Sequence, residues 1–498
     1  METRRFSVVK SYGLPIESIK SFKLPGDKHD SLIGVVSESP GHPKWAHLYI
    51  FSLFRKTYLG LAFDQELEIP KNRNFSSFHQ IDNFNNGEPV LPLLGVENKK
   101  VVLDLMDIGG ITLKSTELED LSILPPKDRL VAGIAAIEDI DADGRKDVVW
   151  RMDADYAGLP RGIAAHDPLS GKKKWEFLFG PIPFRTIVKD IDHDGKKEII
   201  FSAKAPLNHV SWNGMDDDTS YVGVLDCQGN KKWCDEVGGS FTWASLAVED
   251  LDCDGSFEVI TSLQCHRKID PDHGEVRIYD ALSSKKINSK NYPGVSFTSL
   301  YVVNMDNDPH LEIIASDAQG GLWIWDHNLN EHCTYKSKAD ISIIGVERIH
   351  ENSLPYIFTW YADNSLRIFD HRLKTIFNYQ FYQIPKEIKE PDTIIPISDG
   401  QTTSFVLTAD HTYLISPKQS LPFQDYLALF RSPFLFYFLG MVFFNGLLYV
   451  GWKQTRKSRL RSLELLREST KTRPEWTITA QDVLHKMKSP LTAILWET

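Results

Sequence analysis

The sequence predicts a mainly β protein: a β-propeller of seven or eight blades, followed by one transmembrane helix and the start of a helical hairpin. Three observations lead to this prediction. An acidic segment recurs every 50 to 60 residues within residues 1–425. A stretch of twenty residues without a charge follows at 433–452. An amphipathic pattern with one histidine then occupies residues 476–498.

The composition is typical of a folded, multi-domain chain that does not bind nucleic acid. The 498 residues exceed what one hydrophobic core usually organises. Hydrophobic residues make up 42% of the chain and aromatic residues 11%, which excludes large-scale disorder. The formal net charge is −11, although ten Lys or Arg stand against five Asp or Glu from Lys453 onwards. The acidic body therefore lacks the basic face that nucleic-acid phosphates require.

Four aligned segments define the repeat. Their first ligand-type positions, spaced 51, 60 and 54 residues apart, are Asp139, Asp190, Asp250 and Asn304. Each segment is followed by an apolar, β-rich run and later by a strand pair with a polar turn, as in "GVLDCQGNKKW" from Gly223. A period of this length with about four short strands is typical of propeller blades. We expect the strands after Asp392 to close the ring with the N-terminal ones.

The acidic segment has the pattern of a cation-binding loop. In the first copy Asp139, Asp141 and Asp143 alternate, Gly144 permits a sharp turn, and Asp147 returns a fourth carboxylate. Because Ca²⁺ takes six to eight oxygen ligands, such a loop can wrap one ion. The alternative is ordinary solvated turn chemistry, since Asp and Gly favour turns in any case.

These repeats resemble the FG-GAP/VCBS family of β-propeller repeats, which is found in integrin α-subunit heads. The resemblance is clear over roughly residues 77–360, and it implies structural rather than catalytic Ca²⁺. The ligands that it implies are Asp139, Asp141, Asp143, Asp147, Asp190, Asp192, Asp194, Glu198, Asp250, Asp252, Asp254 and Glu258. The fourth copy departs from the family with Asn304 first and Pro309 in place of glycine, so we expect weak or no binding there.

Neither catalysis by the propeller nor a zinc cluster is expected. We expect His166, His350 and His371 to be isolated loop histidines, and they form no persuasive catalytic constellation. The five cysteines include no CxxC pair, which argues against zinc. Cys227 and Cys234 flank a turn and can cross-link in an oxidising compartment, but we expect two free thiols.

One segment has the length and composition of a transmembrane helix. Pro433–Trp452 contains no charge, and at about 1.5 Å per residue it spans roughly 30 Å, the hydrocarbon thickness of a bilayer. Basic residues cluster after it, in "KQTRKSRLRS" from Lys453, so the positive-inside rule places the propeller outside and the tail in the cytoplasm. Because the N-terminus lacks an apolar signal region, we expect a missing upstream segment; the alternative is export by an atypical route. The alternative is a buried helix, but buried helices rarely run this long without a charge.

The C-terminal tail contains a candidate phosphoacceptor. Residues 453–475 suit a juxtamembrane helix, and a new helical period covers 476–498. There "LHKMKSPLTAI" resembles the H-box of the dimerisation and phosphoacceptor domain of sensor histidine kinases. The resemblance implies His485 as phosphoacceptor and Ser489 at a position linked to phosphatase activity. Lys486 departs from the family, which most often has an acidic residue there. Alternatively, His485 is an ordinary histidine of an amphipathic helix.

These segments in this order predict the sensor part of a two-component histidine kinase in the cell membrane, whose propeller binds an extracellular ligand. The resemblance implies a homodimer through the phosphoacceptor helices, a cytoplasmic response regulator as partner, and membrane lipid around the span. The sequence stops thirteen residues after His485 and has no Gly-rich nucleotide loop, so we expect ATP to bind a missing downstream domain. The alternative is a membrane-anchored, calcium-dependent adhesin or ligand-binding propeller without kinase activity.

Overall fold

The computed structural model describes most of the chain up to residue 417 and a short part of the tail. Before residue 89 it describes only the backbone of the strands. Side chains are described from residue 89 to 417 except at 108–109, 123–129, 155–157, 266–273, 351, 382–392, 398–402 and 408–412. In the tail, residues 453–454, 456–458 and 460–462 are described. The chain divides into two compact units, Met1–Lys418 and Gln419–Thr498.

Antiparallel strands build the first unit, and 32 of the 35 described strands form eight four-stranded blades. Strand β1 (Phe6–Tyr12) belongs to the last blade. Blade 1 contains β2 (Ser18–Phe22), β3 (Ser31–Ser37), β4 (Trp45–Thr57) and β5 (Gly60–Leu67). Blade 2 contains β6 (Asn74–Phe78), β8 (Glu88–Glu97), β9 (Lys100–Asp107) and β10 (Thr112–Asp120), while β7 (Asp82–Phe84) also pairs with β8. Blade 3 contains β11 (Val131–Glu138), β12 (Asp147–Asp153), β13 (Arg161–His166) and β14 (Lys173–Leu178).

The next three blades follow the same order of strands. Blade 4 contains β15 (Ile182–Lys189), β16 (Glu198–Lys204), β19 (Ser220–Leu225) and β20 (Lys231–Gly238), and the small hairpin β17 (Ser211–Trp212) and β18 (Met215–Asp216) is inserted after β16. Blade 5 contains β21 (Thr242–Glu249), β22 (Glu258–Cys265), β23 (Gly274–Asp280) and β24 (Lys286–Tyr292). Blade 6 contains β25 (Phe297–Val303), β26 (Glu312–Asp317), β27 (Gly321–Trp325) and β28 (Glu331–Lys336).

The last blade joins the two ends of the first unit. Blade 7 contains β29 (Ile341–Glu347), β30 (Tyr356–Tyr361), β31 (Ser365–Phe369) and β32 (Thr375–Gln380). Blade 8 contains β33 (Ile394–Ser398), β34 (Thr403–Thr408) and β35 (Thr412–Pro417), and its fourth strand is β1. β1 pairs with β35 from Phe6 opposite Pro417 to Tyr12 opposite Thr412. The predicted closure by N-terminal residues is thus confirmed, and the described strands form eight blades.

Apolar side chains pack between neighbouring blades. One cluster joins Ile163 of blade 3 to Phe201 of blade 4, and both side chains are fully buried. Burying a side chain of this kind is worth about 1.5–3 kcal/mol. The outer strands add a polar link, because the Nε1–H of Trp175 donates to the carbonyl oxygen of Cys227 in the next blade at 2.8 Å. Trp233 repeats this bond one blade further on, at 2.7 Å.

The two cysteines that flank a predicted turn lie in blade 4. Cys227 is in the turn between β19 and β20, and Cys234 is in β20. The structure has no disulfide between Cys227 and Cys234, and the expectation of two unlinked thiols stays a prediction.

His166 is a fully buried histidine at the end of β13. The Nε1–H of Trp150 donates to its Nδ1 at 3.1 Å. Burial, together with the charge of Lys173, lowers the pKa of His166 to about 4. The imidazole is therefore neutral inside the blade at ordinary pH, and it serves as a hydrogen-bond acceptor rather than as an isolated loop histidine.

Acid is expected to destabilise the propeller through His166. The unfolded histidine has a pKa near 6.5 and the folded one a pKa of about 4, so the stabilisation is complete above pH 6.5 and is lost as the pH falls from 6.5 to 4. The loss from this group amounts to roughly 3 kcal/mol. Urea unfolding of the full chain at pH 7 and pH 4.5, compared with His166→Gln, measures it. Equal pH dependence of the two proteins would contradict the assignment.

The predictions for the tail lie outside the described residues. In the second unit, the described residues between 453 and 462 are helical and exposed. Across the described parts of the chain, no helix combines the length and the apolar composition needed to cross a membrane. The predicted span Pro433–Trp452 is not among these parts, and neither are His485 and Ser489. The transmembrane helix and the phosphoacceptor helix stay predictions.

Candidate functional site

The acidic loops occupy the same position in four successive blades. They connect the first strand to the second in blades 3, 4, 5 and 6, that is β11 to β12, β15 to β16, β21 to β22 and β25 to β26. We call them loops 1 to 4: residues 139–147, 190–198, 250–258 and 304–312. In each loop the last residue is the carboxylate that opens a buried second strand.

The first aspartate of loops 1 to 3 fixes the turn. A carboxylate oxygen of Asp139 accepts the N–H of Gly144 at 2.8 Å. Asp190 and Asp250 make the same bond to the glycines at 195 and 255, at 3.0 Å each. These glycines have φ values of 83°, 88° and 93°, a region that side chains with a Cβ rarely adopt. The glycine of the sequence pattern is therefore required by the backbone.

Neighbouring loops contact each other. Ala142, His193 and Cys253, at the fourth loop position, all have φ near +60°. This backbone conformation is uncommon for such residues. The Nε2 atom of His193 lies 3.0 Å from the carbonyl oxygen of Gly255, and the thiol of Cys253 donates to the carbonyl oxygen of Pro309. The N–H of Lys197 in loop 2 donates to the carbonyl oxygen of Ile140 in loop 1 at 2.9 Å, so the four loops form a connected row along one edge of four blades.

Each loop brings carboxylates together. In loops 1 to 3 the groups with ligand atoms within 4.8 Å of one another are Asp139, Asp141 and Asp147, then Asp190, Asp192 and Asp194, then Asp250, Asp252 and Asp254. The remaining predicted ligands are Asp143, Glu198 and Glu258. Glu198 and Glu258 are buried, and each accepts a backbone N–H of its own loop, from Ile191 at 3.2 Å and from Leu251 at 2.8 Å.

A lysine ammonium already lies among the carboxylates of loop 1. Lys174, on β14 of the same blade, places Nζ 2.8 Å from Asp141 and 2.7 Å from the fully buried Asp147. Asp143 lies 3.8 Å from the same nitrogen and also pairs with Arg145 at 2.7 Å. Loop 1 therefore has an internal cation.

Loop 2 has the same arrangement. Lys232, on β20, places Nζ 3.1 Å from Asp192 and 2.9 Å from Glu198. Sequence reasoning missed both lysines. The available signal was "KKW", which occurs at 173–175 and again at 231–233, at the start of the fourth strand of each blade.

Loop 3 has no such cation among the described residues. The corresponding segment is "KKI" at 285–287, and Lys286 forms no ion pair with a described carboxylate. Burial, with the charges of Asp252 and Asp250 adding to it, raises the pKa of the Glu258 carboxyl to about 7. Four acidic groups thus share a site that, within the described part of the chain, has no positive charge to balance them.

Loop 4 keeps three of the four acidic positions, with Asn304 in place of the first aspartate and Pro309 in place of the glycine. Asp306, Asp308 and Glu312 lie together as in the other loops, and Glu312 accepts the N–H of Met305 at 2.6 Å. Asn304 donates a side-chain N–H to the carbonyl oxygen of Asp308. The expectation of weak or no binding at this loop stays a prediction.

The donor set of loop 3 fits a hard divalent cation best. Such an ion prefers oxygen ligands at 2.3–2.6 Å and favours flexible loops with several carboxylates. Asp250, Asp252 and Asp254 already lie together, and Glu258 adds a buried carboxyl whose pKa is raised to about 7. A divalent ion would supply the charge that lysine supplies in loops 1 and 2. The chemistry of the donor sets therefore favours calcium binding at loop 3 over calcium binding at loops 1 and 2, which already contain a lysine ammonium.

Comparisons with known proteins identify the fold. No protein-family model matches the sequence, and none of the curated proteins matches it significantly. Sqt1 from Chaetomium thermophilum matches with a TM-score of 0.53 at 10% identity, over 83% of this chain and 98% of that chain. Sqt1 from Saccharomyces cerevisiae gives 0.52 at 10% identity, over 84% and 100%. The exotype rhamnogalacturonan lyase YesX gives 0.51 at 13% identity, over 83% and 72%. At these identities the likeness shows the fold alone, a β-propeller.

Proposed function

We propose that this chain is the sensor part of a membrane histidine kinase of a two-component system. In this proposal the propeller lies outside the cell membrane and binds a ligand, one helix at Pro433–Trp452 crosses the lipid, and His485 receives phosphate in the cytoplasm. The observation that carries the proposal is the order of the parts: a propeller, an uncharged span with a basic flank behind it, and then an H-box-like segment.

The chemistry of the tail supports phosphoryl acceptance. A histidine has a pKa near neutrality, so a neutral imidazole is available to attack the γ-phosphate of ATP. Pro490 removes an amide donor and would kink the helix after His485, as the H-box resemblance implies. ATP would bind a separate catalytic domain, and a dimer of phosphoacceptor helices would present His485 to that domain and to a response regulator.

The proposed role of calcium is structural. Asp250, Asp252, Asp254 and Glu258 would hold the ion at loop 3, where it would balance their charge and fix the connected row of loops. Loops 1 and 2 are the weaker candidates because Lys174 and Lys232 already neutralise them. In this proposal the repeats belong to the FG-GAP/VCBS type, and in two of them a lysine takes the place of the calcium ion.

Labelling with radioactive ATP tests the phosphoacceptor. The complete reading frame that encodes this chain is expressed in membranes, and wild type is compared with His485→Gln. We expect labelling of the wild type and complete loss in the variant, because the proposal assigns phosphoryl acceptance to the imidazole of His485 and a Gln side chain cannot accept the group. The matched control is His209→Gln, an exposed histidine of the propeller, which should label like the wild type. Equal labelling of His485→Gln and wild type would refute the proposal.

The second candidate function is a calcium-dependent adhesin or ligand-binding propeller anchored in the membrane. The connected row of acidic loops favours this second candidate, because calcium binding by such loops does not depend on a kinase domain. The reading frame after Thr498 separates the two: motifs of a nucleotide-binding kinase domain favour the sensor, and an immediate stop favours the adhesin.

A further inference from the structure

Three cationic side chains converge at the ends of strands in blades 3 and 4. They are Arg151 of β12, Arg185 of β15 and Lys204 of β16, and we call them the basic cluster. β16 begins at Glu198 in loop 2 and ends at Lys204. At about 3.3 Å per residue, Lys204 lies roughly 20 Å along β16 from Glu198, so the basic cluster lies toward the end of these strands that is opposite the acidic loops.

Phe184 holds the basic cluster together. β15 and β16 pair with Pro183 opposite Ala203 and then Arg185 opposite Ser202, so Phe184 is the extra residue of a β-bulge. A bulge leaves its extra residue out of the strand ladder, and bulges are frequent next to binding sites. The guanidinium of Arg151, from the neighbouring blade, donates to the carbonyl oxygen of Phe184.

The other two cations contact the ring of Phe184. Nζ of Lys204 lies 4.3 Å from the centre of that ring and 5.9 Å from the ring of Trp243 in blade 5. Cζ of Arg185 lies 5.2 Å from the centre of the Phe184 ring. Two of the three cations therefore contact the Phe184 ring, and the third, Arg151, contacts the carbonyl oxygen of the same residue.

The basic cluster lacks a balancing partner at ion-pair distance among the described residues. No described carboxylate oxygen comes within 4.0 Å of a nitrogen of Arg151, Arg185 or Lys204. Asp153 lies further away, where its charge only partly offsets theirs. Burial and the mutual repulsion of the three cations lower the pKa of Lys204. Arg185 is exposed, so the cluster is open to solutes.

We propose that the basic cluster binds a small oxyanion, the carboxylate or phosphate group of a solute. Two guanidinium groups offer paired N–H donors that match the geometry of such an anion, and the ammonium of Lys204 adds a point charge. A bound anion reduces the electrostatic repulsion among the three cations of the basic cluster. The faces of Phe184 and Trp243 then border the bound group.

This inference goes beyond the proposed function because it gives the class of ligand, and it is tested without the kinase. Isothermal titration of the purified full chain uses inorganic phosphate in one arm and acetate in the other, at constant ionic strength because salt screens exposed charges. We expect saturable binding in at least one arm, and the stronger arm identifies the anion. Saturation by neither anion would overturn the proposal.

Charge-removing variants locate the site. Arg185→Gln and Lys204→Gln are each expected to weaken binding about tenfold or more, because a hydrogen bond to a charged group is lost. Lys204→Arg keeps the charge and should retain most of the affinity, which also shows that the blade tolerates substitution there. The matched control is Arg145→Gln, an exposed arginine in loop 1 at the other end of these blades. Wild-type affinity in both Gln variants would refute the anion site. That result would leave the kinase proposal standing, because labelling of His485 tests the kinase proposal separately.

Discussion

Calcium added to the chelator-treated full chain is expected to raise its unfolding temperature by several degrees, and loop 3 is expected to account for most of the rise. Loop 3 gathers four acidic groups with no described cation, and burial, with the charges of Asp252 and Asp250 adding to it, raises the pKa of Glu258 to about 7. A bound ion stabilises the folded state by RT ln(1 + [L]/Kd), about 2.7 kcal/mol at a concentration one hundred times Kd. Calorimetry with and without Ca²⁺ measures the change.

The double variant Asp252→Asn with Asp254→Asn isolates loop 3. The asparagine oxygens can still accept the turn N–H groups, such as that of Ser256 on position 254, but two negative charges are lost. We expect the calcium response to fall to a small fraction of that of the wild type. In chelator alone the variant should be more stable than the wild type, because repulsion with Glu258 is relieved. An unchanged calcium response would contradict the assignment to loop 3.

Loop 1 provides the matched control. Asp141→Asn should leave the calcium response almost intact, because Lys174 already neutralises that loop. Lys174→Met should do the opposite: it removes the internal cation, destabilises the chain in chelator and creates a new response to Ca²⁺. If Lys174→Met gained no calcium response, the ammonium would not be acting as the cation of loop 1.

Asp217→Asn is expected to destabilise the propeller by about 3–5 kcal/mol, the usual cost of removing one partner of a buried ion pair. Arg161 and Asp217 have no exposed side-chain surface, and their nitrogen and oxygen lie 2.9 Å apart. The other carboxylate oxygen of Asp217 accepts the N–H groups of Asn208 and Val210, at 3.1 and 2.9 Å. The pair therefore pins the insertion of blade 4 onto blade 3.

Urea unfolding of the full chain measures this effect. The matched control is Asp218→Asn, the adjacent residue, whose partner His209 is well exposed; this pair should be worth less than about 1 kcal/mol. Combining Asp217→Asn with Arg161→Met should cost less than Asp217→Asn alone, because no buried charge then lacks a partner and the asparagine oxygen still accepts the N–H groups of Asn208 and Val210. Equal stability of Asp217→Asn and Asp218→Asn would show that the buried pair does not hold the insertion.

The sequence predicted the repeat because the features of a blade are local. Alternating apolar residues, the spacing of Asp139, Asp141 and Asp143, and the glycine after them all lie within a dozen residues of each other. Strand periodicity and turn geometry depend on such short distances. The β-propeller and the first three carboxylate clusters followed from them. The membrane span and the function of His485 rest on the same kind of local pattern and stay predictions.

Only the tertiary structure decided which acidic loops contain a counter-charge and where positive charge collects. Lys174 reaches Asp147 from 27 positions away, and Lys232 reaches Glu198 from 34 positions away, so loops with almost the same sequence differ in their charge balance. The eighth blade depends on β1 pairing with β35 at the far end of the unit. The basic cluster exists because a bulge at Phe184 turns a carbonyl toward Arg151 of the next blade. Contacts between strands distant in sequence depend on register and blade packing, which no local pattern specifies.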